Sequence, residues 1–449
     1  MNIVPFEEAY KLDSITINVT NACNLNCSYC FEHIKANEFM TPETAIDIIK
    51  KTYNKIDPKL GVFTINIFGG EPLLNWKTIK AILDYINKNH LRCKVGITTN
   101  LTILTDEMIK YFDDNSVMLL VSFDGVGHDK NRCNTHDIVV KNLKRLCNAG
   151  LSLFIEARLT ITPEFGQFLY ESVKEVVDLG INNICPICQS DTEWTEQQLY
   201  GFKESYKKLL DYYSDILNDD TNVRKISIKF VDELIGFNIE SDMNVEQTMC
   251  HIYNTKWCTF DYNGDVYPCH QCPSSEEEHV KSMKIGNIYT GVDKDLLKEK
   301  PMTATFDRSE CQNCIAKSIC KSGCPIQNYK FNKDLQKPTK AHCDIFKIYA
   351  ESIIKYQYKI LNSTNIRSRY LNLIKENIKV KKYFDEELMT TDIHSIDFLL
   401  KLERYQEMHD NLNNKNSLLP SFETYFINKL LPLLSYTYAE KGVELINGK

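Results

Sequence analysis

The sequence predicts an α/β fold with a parallel sheet, and two observations support this prediction. First, helical patterns alternate with short apolar segments rich in β-branched residues. Second, six such βα units follow one another, which predicts parallel strands joined by right-handed crossovers. The sheet is either doubly wound or an incomplete (β/α) barrel, and both place chemistry at the carboxyl ends of the strands. The predicted strands are SITINVT (14–20), VFTINIF (62–68), CKVGITT (93–99), VMLLVSF (117–123), LFIEARLTI (153–161) and NNICPIC (182–188).

The clearest helix pattern is TPETAIDIIKKTYNKI, residues 41–56. Thr41 suits the N-cap and Pro42 suits the first helical position. Apolar residues from Ala45 to Ile56 then recur on one face.

The chain divides into four predicted regions. Residues 1–190 hold the βα units, 191–249 form a mainly helical bridge, and 250–350 are rich in cysteine and turn signals. Residues 351–449 contain no cysteine and carry amphipathic patterns, which predict a helical C-terminal extension.

Composition and charge exclude several classes of protein. Lysine and arginine number 53 against 60 aspartates and glutamates, a net charge of −7, which argues against a nucleic-acid partner. No apolar run is long enough to span a bilayer, and the N-terminus lacks the pattern of a signal peptide. We therefore expect a cytoplasmic protein with no membrane partner.

The 17 cysteines are unevenly distributed, with three in residues 23–30 and nine in residues 250–343. An odd number of cysteines without an export signal argues against a disulfide framework. Clustered thiols in a reducing compartment favour metal ligands or redox groups.

The first cluster is Cys23, Cys27 and Cys30, spaced C-x3-C-x2-C directly after the first predicted strand. Three thiolates on one short loop suit an iron–sulfur cubane with one open iron. The alternatives are a zinc loop with a distant fourth ligand, or three buried cysteines without a metal.

This loop resembles that of radical S-adenosylmethionine enzymes, which carry C-x3-C-x-(aromatic)-C after the first strand of a partial (β/α)6 barrel; Tyr29 is the aromatic residue here. The resemblance implies such a TIM-like barrel, with S-adenosylmethionine bound at the open iron. It continues in Gly69-Gly70-Glu71-Pro72 after the second strand, where the family binds the methionyl amino group. It extends to Thr99-Asn100, which end the third strand and line the cofactor site.

A third match follows the fourth strand. Ser122-Phe123-Asp124-Gly125, with His128, Asp129 and Arg132 after it, resembles a stretch of the peptide-modifying members. There, the serine hydroxyl and the arginine hold the cofactor carboxylate. The segment from Gly125 to His128 is two residues shorter than the family pattern, so Arg158 is the alternative clamp. A plain strand-to-helix cap is the alternative for Ser122 and Asp124.

The later cysteines resemble a SPASM domain, with C-x13-G-x4-C at Cys250, Gly264 and Cys269, then C-x2-C-x5-C-x3-C from Cys311 and a final Cys343. The resemblance implies two auxiliary [4Fe–4S] clusters, and therefore three clusters in all. Cluster I takes Cys250, Cys269 and Cys324, with Cys258 as the predicted fourth ligand and Cys272 as its rival. If neither binds, that iron is open to substrate. Two zinc sites are the alternative interpretation. Cluster II takes Cys311, Cys314, Cys320 and Cys343.

SPASM members mostly modify peptides or proteins, which implies a maturase that crosslinks a precursor peptide, with a thioether as one product. Flavodoxin or ferredoxin is the expected reducing partner. The alternative is a sulfatase-maturing enzyme, which makes formylglycine. That group places a carboxylate base after the cysteine of G-x4-C, but this chain has His270 there, either as a catalytic base or as a donor to cluster sulfur. A non-catalytic iron–sulfur carrier or sensor is disfavoured, because it needs no carboxylate clamp.

Two features remain open. Only 22 residues precede Cys23, too few for a leader-binding domain, so residues 351–449 either supply a peptide groove or simply cap the cysteine-rich region. Cys185 and Cys188 form a C-x2-C at the end of the sixth strand. They are either packed strand residues or include a thiol that contacts substrate.

Overall fold

The structure is a computed structural model that describes residues 2–361 with interruptions. The interruptions are residues 11, 33–34, 54–62, 219–225, 232–233, 235–247, 251, 253–255, 299–301, 304–308, 313 and 318. At Cys250 the backbone alone is described. The predicted extension beyond residue 361 lies outside the described residues.

Six parallel strands form the centre of the molecule and confirm the predicted α/β class as a partial (β/α)6 barrel. Each strand pairs with the next in chain order, as the βα units predict. The strands are β2 (Ser14–Asn18), β3 (Phe63–Phe68), β4 (Cys93–Thr99), β5 (Met118–Ser122), β6 (Ile155–Ile161) and β7 (Asn183–Cys188).

Helices connect these strands and cover one face of the sheet. In the predicted helix at residues 41–56, Pro42 is the first helical residue, and Thr41 Oγ1 accepts a hydrogen bond from the Thr44 amide at 3.2 Å. The crossover helices are Pro42–Tyr53, Trp76–Lys88, Asp106–Asp114, His128–Asn131, His136–Asn148 and Leu169–Asp178.

Side chains of the barrel strands alternate between two environments. Ile65 and Ile67 on β3 are fully buried in the main apolar core. Phe68 on the same strand, and Ser122 and Thr160 on β5 and β6, line a cavity on the opposite face. The period of two in a strand therefore separates the core from the functional surface.

The sheet continues into the cysteine-rich region, which the sequence did not predict. β10 (Trp257–Phe260) pairs in parallel with β2 and joins β11 (Asp265–Tyr267) in an antiparallel hairpin. Four further strands belong to the sheet: β1 (Ile3–Val4), β8 (Ser227–Ile228), β12 (Gly286–Asn287) and β13 (Gly291–Asp293). Within the described residues the sheet therefore has twelve strands, in the order β1-β13-β12-β11-β10-β2-β3-β4-β5-β6-β7-β8.

The predicted helical bridge contains a long helix, Glu196–Asn218, and also β8, which extends the sheet beside β7. β9 (Thr248–Cys250) pairs with β14 (Met302–Thr303) outside the main sheet. The later α-helices are Glu278–Lys281, Ser309–Gln312, Pro325–Asn332 and Lys340–Leu361. No helix among the described residues is both long and apolar enough to span a bilayer.

Candidate active site

A cavity of about 370 Å³ opens at the carboxyl ends of the barrel strands. Its wall includes the three thiols of the first cysteine cluster on one side and His270 and Gln271 on the other. The cavity therefore lies between the first cysteine loop and the cysteine-rich region, at the sheet edge where parallel αβ folds place their chemistry.

The first cysteine loop is folded by its own backbone and by the segment after β5. The Cys30 amide donates to the Cys27 carbonyl at 3.2 Å, and the Ser28 amide donates to the Asn131 carbonyl at 3.0 Å. Burial raises the pKa of Cys27 to about 11, the Arg132 charge opposes that rise, and the nearby Cys30 and Cys23 thiols add to it. Three partly buried thiols on one cavity wall fit an iron–sulfur cluster, since a bound metal deprotonates its thiol ligands.

The three thiols of the first loop do not have to converge on one metal ion in order to bind an iron–sulfur cluster. Within the described ranges, no set of three or more Cys, His, Asp or Glu side chains is arranged to hold a single metal ion. In a [4Fe–4S] cubane each thiolate binds a different iron, so its ligands are spread around the cluster.

The glycine pair after β3 packs directly under this loop. The Gly70 amide donates to the Thr20 carbonyl at 2.9 Å, and the Glu71 amide donates to the Ala22 carbonyl at 2.8 Å. A Cβ atom on Gly70 would lie 2.3 Å from the Ala22 carbonyl oxygen, so only glycine allows this approach. Pro72 then begins a short 3-10 helix, Pro72–Asn75.

The Glu71 carboxylate ties the ends of β3 and β4 together. Its Oε1 accepts hydrogen bonds from Thr99 Oγ1 at 2.7 Å and from the Leu73 amide at 3.0 Å, while Oε2 accepts one from the Asn100 amide at 2.7 Å. Burial raises the pKa of Glu71 to about 7, against the effect of these donors. The structure thus brings together Glu71, Thr99 and Asn100, and all three line the cavity.

The Asp124 carboxylate accepts four hydrogen bonds next to the site. Its Oδ2 accepts from Tyr29 Oη at 2.5 Å and from Arg132 Nε at 3.0 Å. Its Oδ1 accepts from the Thr160 amide at 2.9 Å and from Arg132 Nη2 at 3.2 Å. The Asp124 side chain is fully buried, so these protein groups hold it in place of water.

The two arginines predicted as carboxylate clamps differ in their surroundings. Arg132 donates hydrogen bonds from Nε and Nη2 to the Asp124 carboxylate, and its Nη1 lies 3.9 Å from Cys27 Sγ. Arg158 pairs with Ser122 across β5 and β6, and its Nη2 lies 3.3 Å from Glu156 Oε1. Arg158 Nε is buried without a hydrogen-bond partner among the described residues. Both arginines and Ser122 line the cavity.

His270 lies in an aromatic cage at the far wall of the cavity. Its ring centroid is 4.7 Å from that of Phe68, 5.5 Å from that of Phe31 and 6.5 Å from that of Trp257. Burial lowers the pKa of His270 to about 4, and the Arg158 charge adds to this effect, so the imidazole is neutral near pH 7.

The structure separates the cysteines predicted for auxiliary cluster I. Cys269 and Cys272 are buried in one small apolar compartment, and Cys324 packs against it. Cys258 is not with them: it is fully buried in the main core, on the strand β10. The side chain of Cys250 lies outside the described atoms.

The four cysteines predicted for auxiliary cluster II lie near one another. Burial raises the pKa of Cys320 to about 12, and the charges of Cys343, Cys314 and Cys311 add to the rise. The Ser322 amide donates to Cys320 Sγ at 3.3 Å, and His342 Nε2 lies 3.6 Å from the same sulfur. Such N–H and imidazole neighbours are usual around cluster ligands.

Comparison with known proteins favours the iron–sulfur interpretation of the first loop. Residues 17–165 match the Radical SAM superfamily. This part of the chain is a Radical SAM domain. The match includes the cysteine loop, the glycine pair, Glu71, Asp124 and Arg132.

Two curated relatives are similar in sequence. The chain is 34% identical over 152 residues to the radical SAM cyclopropyl synthase TigE of Paramaledivibacter caminithermalis, a match that spans 30% of this chain and only 32% of that protein. It is 23% identical over 361 residues to the cysteine-type anaerobic sulfatase-maturating enzyme of Clostridium perfringens, which covers 74% of this chain and 93% of the relative.

Two solved structures share the fold. The native anSMEcpe with bound AdoMet and Cp18Cys peptide has a TM-score of 0.60 at 20% identity, over 81% of this chain and 99% of that one. Streptococcus suis SuiB bound to the precursor peptide SuiA has a TM-score of 0.50 at 18% identity, over 76% of each chain.

Two cavity residues, Glu32 and Gln327, were not singled out from the sequence, and a third, Cys188, was predicted there by only one of two interpretations. Glu32 is 5% exposed, and burial raises its pKa to about 7. Its position two residues after Cys30 was the one available signal. Cys188 lines the cavity, as one interpretation of the C-x2-C pair predicted, and its Sγ lies 3.3 Å from Tyr349 Oη. Gln327 comes from a helix about 140 residues further along the chain than Cys188, so no local pattern indicated it.

We expect Arg132→Ala to weaken S-adenosylmethionine binding by about 1–3 kcal/mol, the range for a lost charge-assisted hydrogen bond. Anaerobic calorimetry measures this affinity. The iron content is measured beside it, because the substitution also leaves the buried Asp124 carboxylate without its ion pair. Arg145→Ala is the control, since Arg145 forms an exposed ion pair with Asp106 away from the cavity.

If Arg132→Ala binds the cofactor like the wild type while Arg158→Ala does not, the clamp is Arg158. Equal affinities in all four proteins would exclude both arginines from this role.

Proposed function

We propose that this radical SAM enzyme is a peptide maturase that abstracts hydrogen from a residue of a ribosomally made precursor peptide and forms a thioether or other crosslink. The observation that supports it is the single cavity shared by the cofactor motifs and the cysteine-rich region. A histidine rather than a carboxylate follows Cys269 in the wall of that cavity.

Three [4Fe–4S] clusters are part of this proposal. Cys23, Cys27 and Cys30 would hold the first, which together with S-adenosylmethionine supplies a 5′-deoxyadenosyl radical when both are bound. Cys250, Cys269 and Cys324 would ligate auxiliary cluster I, and Cys311, Cys314, Cys320 and Cys343 would ligate auxiliary cluster II.

The chain's own groups would hold the cofactor. The backbone of Gly69 and Gly70 and the carboxylate of Glu71 would bind its amino group. Ser122 and an arginine would bind its carboxylate through a planar guanidinium fork. Tyr29 and Asp124 would position Arg132, because the Asp124 carboxylate accepts hydrogen bonds from the Tyr29 hydroxyl and from the Arg132 guanidinium.

The far wall would exclude water and orient the peptide. Phe31, Phe68 and Trp257 surround His270 and leave its imidazole as the polar group of that cage. In this position His270 would accept a proton from the substrate or donate to sulfur of a nearby cluster. Dry surroundings protect a reactive intermediate from side reactions.

Formylglycine formation is the second candidate function, and Glu32 is the observation that favours it. Glu32 lines the same cavity, and its charge is close enough to affect the pKa of Cys269. It could replace the carboxylate that is absent at position 270. The extent of the match to the sulfatase-maturating relative, 93% of its length, also supports this candidate.

The proposed partners are a precursor peptide and a small reductant such as flavodoxin or ferredoxin. SuiB has been solved with a precursor peptide and anSMEcpe with a Cp18Cys peptide, which supports a peptide substrate here. The predicted leader-peptide groove in the C-terminal extension lies outside the described residues.

The anaerobically purified protein should hold about twelve irons, four for each of three clusters. Replacing Cys23, Cys27 and Cys30 with alanine should remove about four irons and abolish 5′-deoxyadenosine formation, since the iron that binds the cofactor is lost. Iron analysis and chromatography of the products measure both. A triple variant with the wild-type iron content would contradict the ligand assignment, and Cys93→Ala is the matched control.

The products should distinguish the two candidate functions. We expect co-expression with neighbouring small open reading frames to yield a peptide that has lost two hydrogen atoms and resists thiol alkylation, as a thioether does. Mass spectrometry measures this change. An aldehyde that reacts with hydrazide probes, abolished by Glu32→Gln but retained in His270→Ala, would instead establish formylglycine formation.

A further inference from the structure

We propose that Cys272, and not Cys258, is the fourth ligand of auxiliary cluster I, so that this cluster is closed to the substrate. The inference rests on the proposed function, because it presumes a cluster at Cys250, Cys269 and Cys324. It assigns a ligand that the spacing of the cysteines left open between two residues.

The direction of the β10 side chains excludes Cys258. Trp257 packs against the compartment of Cys269 and donates from Nε1 to Thr16 Oγ1 at 3.2 Å. Successive side chains on a strand point to opposite faces, so Cys258 faces away from that compartment. It lies in the main core, close enough to affect the pKa of Tyr10.

Pairing with the barrel fixes this orientation. Cys258 is opposite Ile15 and Trp257 is opposite Ser14 in the parallel ladder with β2. Turning Cys258 toward Cys269 would require a slip of one residue, which would also move Phe260 out of the core and Thr259 into it. The register thus ties the position of Cys258 to the first strand of the barrel.

Cys272 has the opposite placement. Its amide donates to the Cys269 carbonyl at 3.1 Å, which forms a tight turn that brings the two residues together. Both are buried in the same compartment, with Ile252, Val280 and Ile326 around them and Cys324 against it. A C-x2-C turn of this kind is a usual way to chelate an iron–sulfur cluster.

Gln271, between the two cysteines, supplies hydrogen bonds for the sulfurs. Its amide donates to Cys269 Sγ at 3.5 Å, and its Nε2 lies 3.9 Å from Cys324 Sγ. Donors to cluster sulfur stabilise thiolate charge and tune the reduction potential. The Cys269–Cys272 turn therefore provides both ligands and their supporting donors.

Four cysteine ligands would restrict auxiliary cluster I to electron transfer. With four cysteine ligands, no iron is left for a thiolate of the peptide. The cluster would then accept or deliver electrons, and the peptide would be held by side chains of the cavity wall, such as His270 and Gln271.

The test uses the full chain with Cys23, Cys27 and Cys30 replaced by alanine, so that only auxiliary clusters contribute. This parent should hold about eight irons, and its electron paramagnetic resonance spectrum should not respond to added 2-mercaptoethanol. Adding Cys272→Ala should lower the iron content toward four, or leave a cluster whose spectrum shifts with the added thiol. Cys258→Ala, the matched control, should behave like the parent.

The assignment is overturned if Cys258→Ala causes these changes and Cys272→Ala does not, or if the parent itself already responds to the thiol. Should Cys272→Ala fail to fold by circular dichroism, Cys272→Ser replaces it. A serine ligand would keep the cluster but shift its spectrum, and an unshifted spectrum would again overturn the assignment. A parent with fewer than about four irons would instead refute the auxiliary clusters of the proposed function, and this ligand with them.

Discussion

The buried carboxylate of Asp124 is the interaction on which the rest of the site depends. It accepts hydrogen bonds from the Tyr29 hydroxyl of the cysteine loop, from Nε and Nη2 of Arg132, and from the Thr160 amide of β6. A buried charge with all its partners in place is stable, but removing one partner leaves a costly uncompensated group. Asp124 therefore fixes the cysteine loop relative to the strands before any cofactor binds.

Continuity of the sheet determines where the second set of cysteines lies. Because β10 pairs with β2, the segment that carries Cys269, His270 and Cys272 is anchored to the strand that precedes the first cysteine loop. The cavity is thus bounded by the thiols of the first cysteine loop and by His270 and Gln271 of the cysteine-rich region. In the function proposed above, the radical would form on one side of the cavity, and the peptide would lie on the other.

The fold was predictable because its signals are local. All six barrel strands were located to within about two residues, and β4 has the predicted bounds, since buried parallel strands read as apolar runs. Asp124 shows why the site was only partly predictable: its partners Tyr29 and Thr160 are 95 and 36 residues away in the chain. The choice between Cys258 and Cys272 likewise depends on which face of β10 points to the compartment of Cys269, and cysteine spacing does not encode that.

The most direct test of this account is the free energy of unfolding of Asp124→Asn, measured anaerobically by denaturant titration beside its iron content. We predict a loss of about 3–5 kcal/mol, because Arg132 becomes an uncompensated buried charge, and a loss of the iron bound by the first cysteine loop. Asp106→Asn, which breaks an exposed ion pair with Arg145, should cost about 0–1 kcal/mol and leave the iron content unchanged. If Asp124→Asn is as stable and as rich in iron as Asp106→Asn, the carboxylate does not hold the site together.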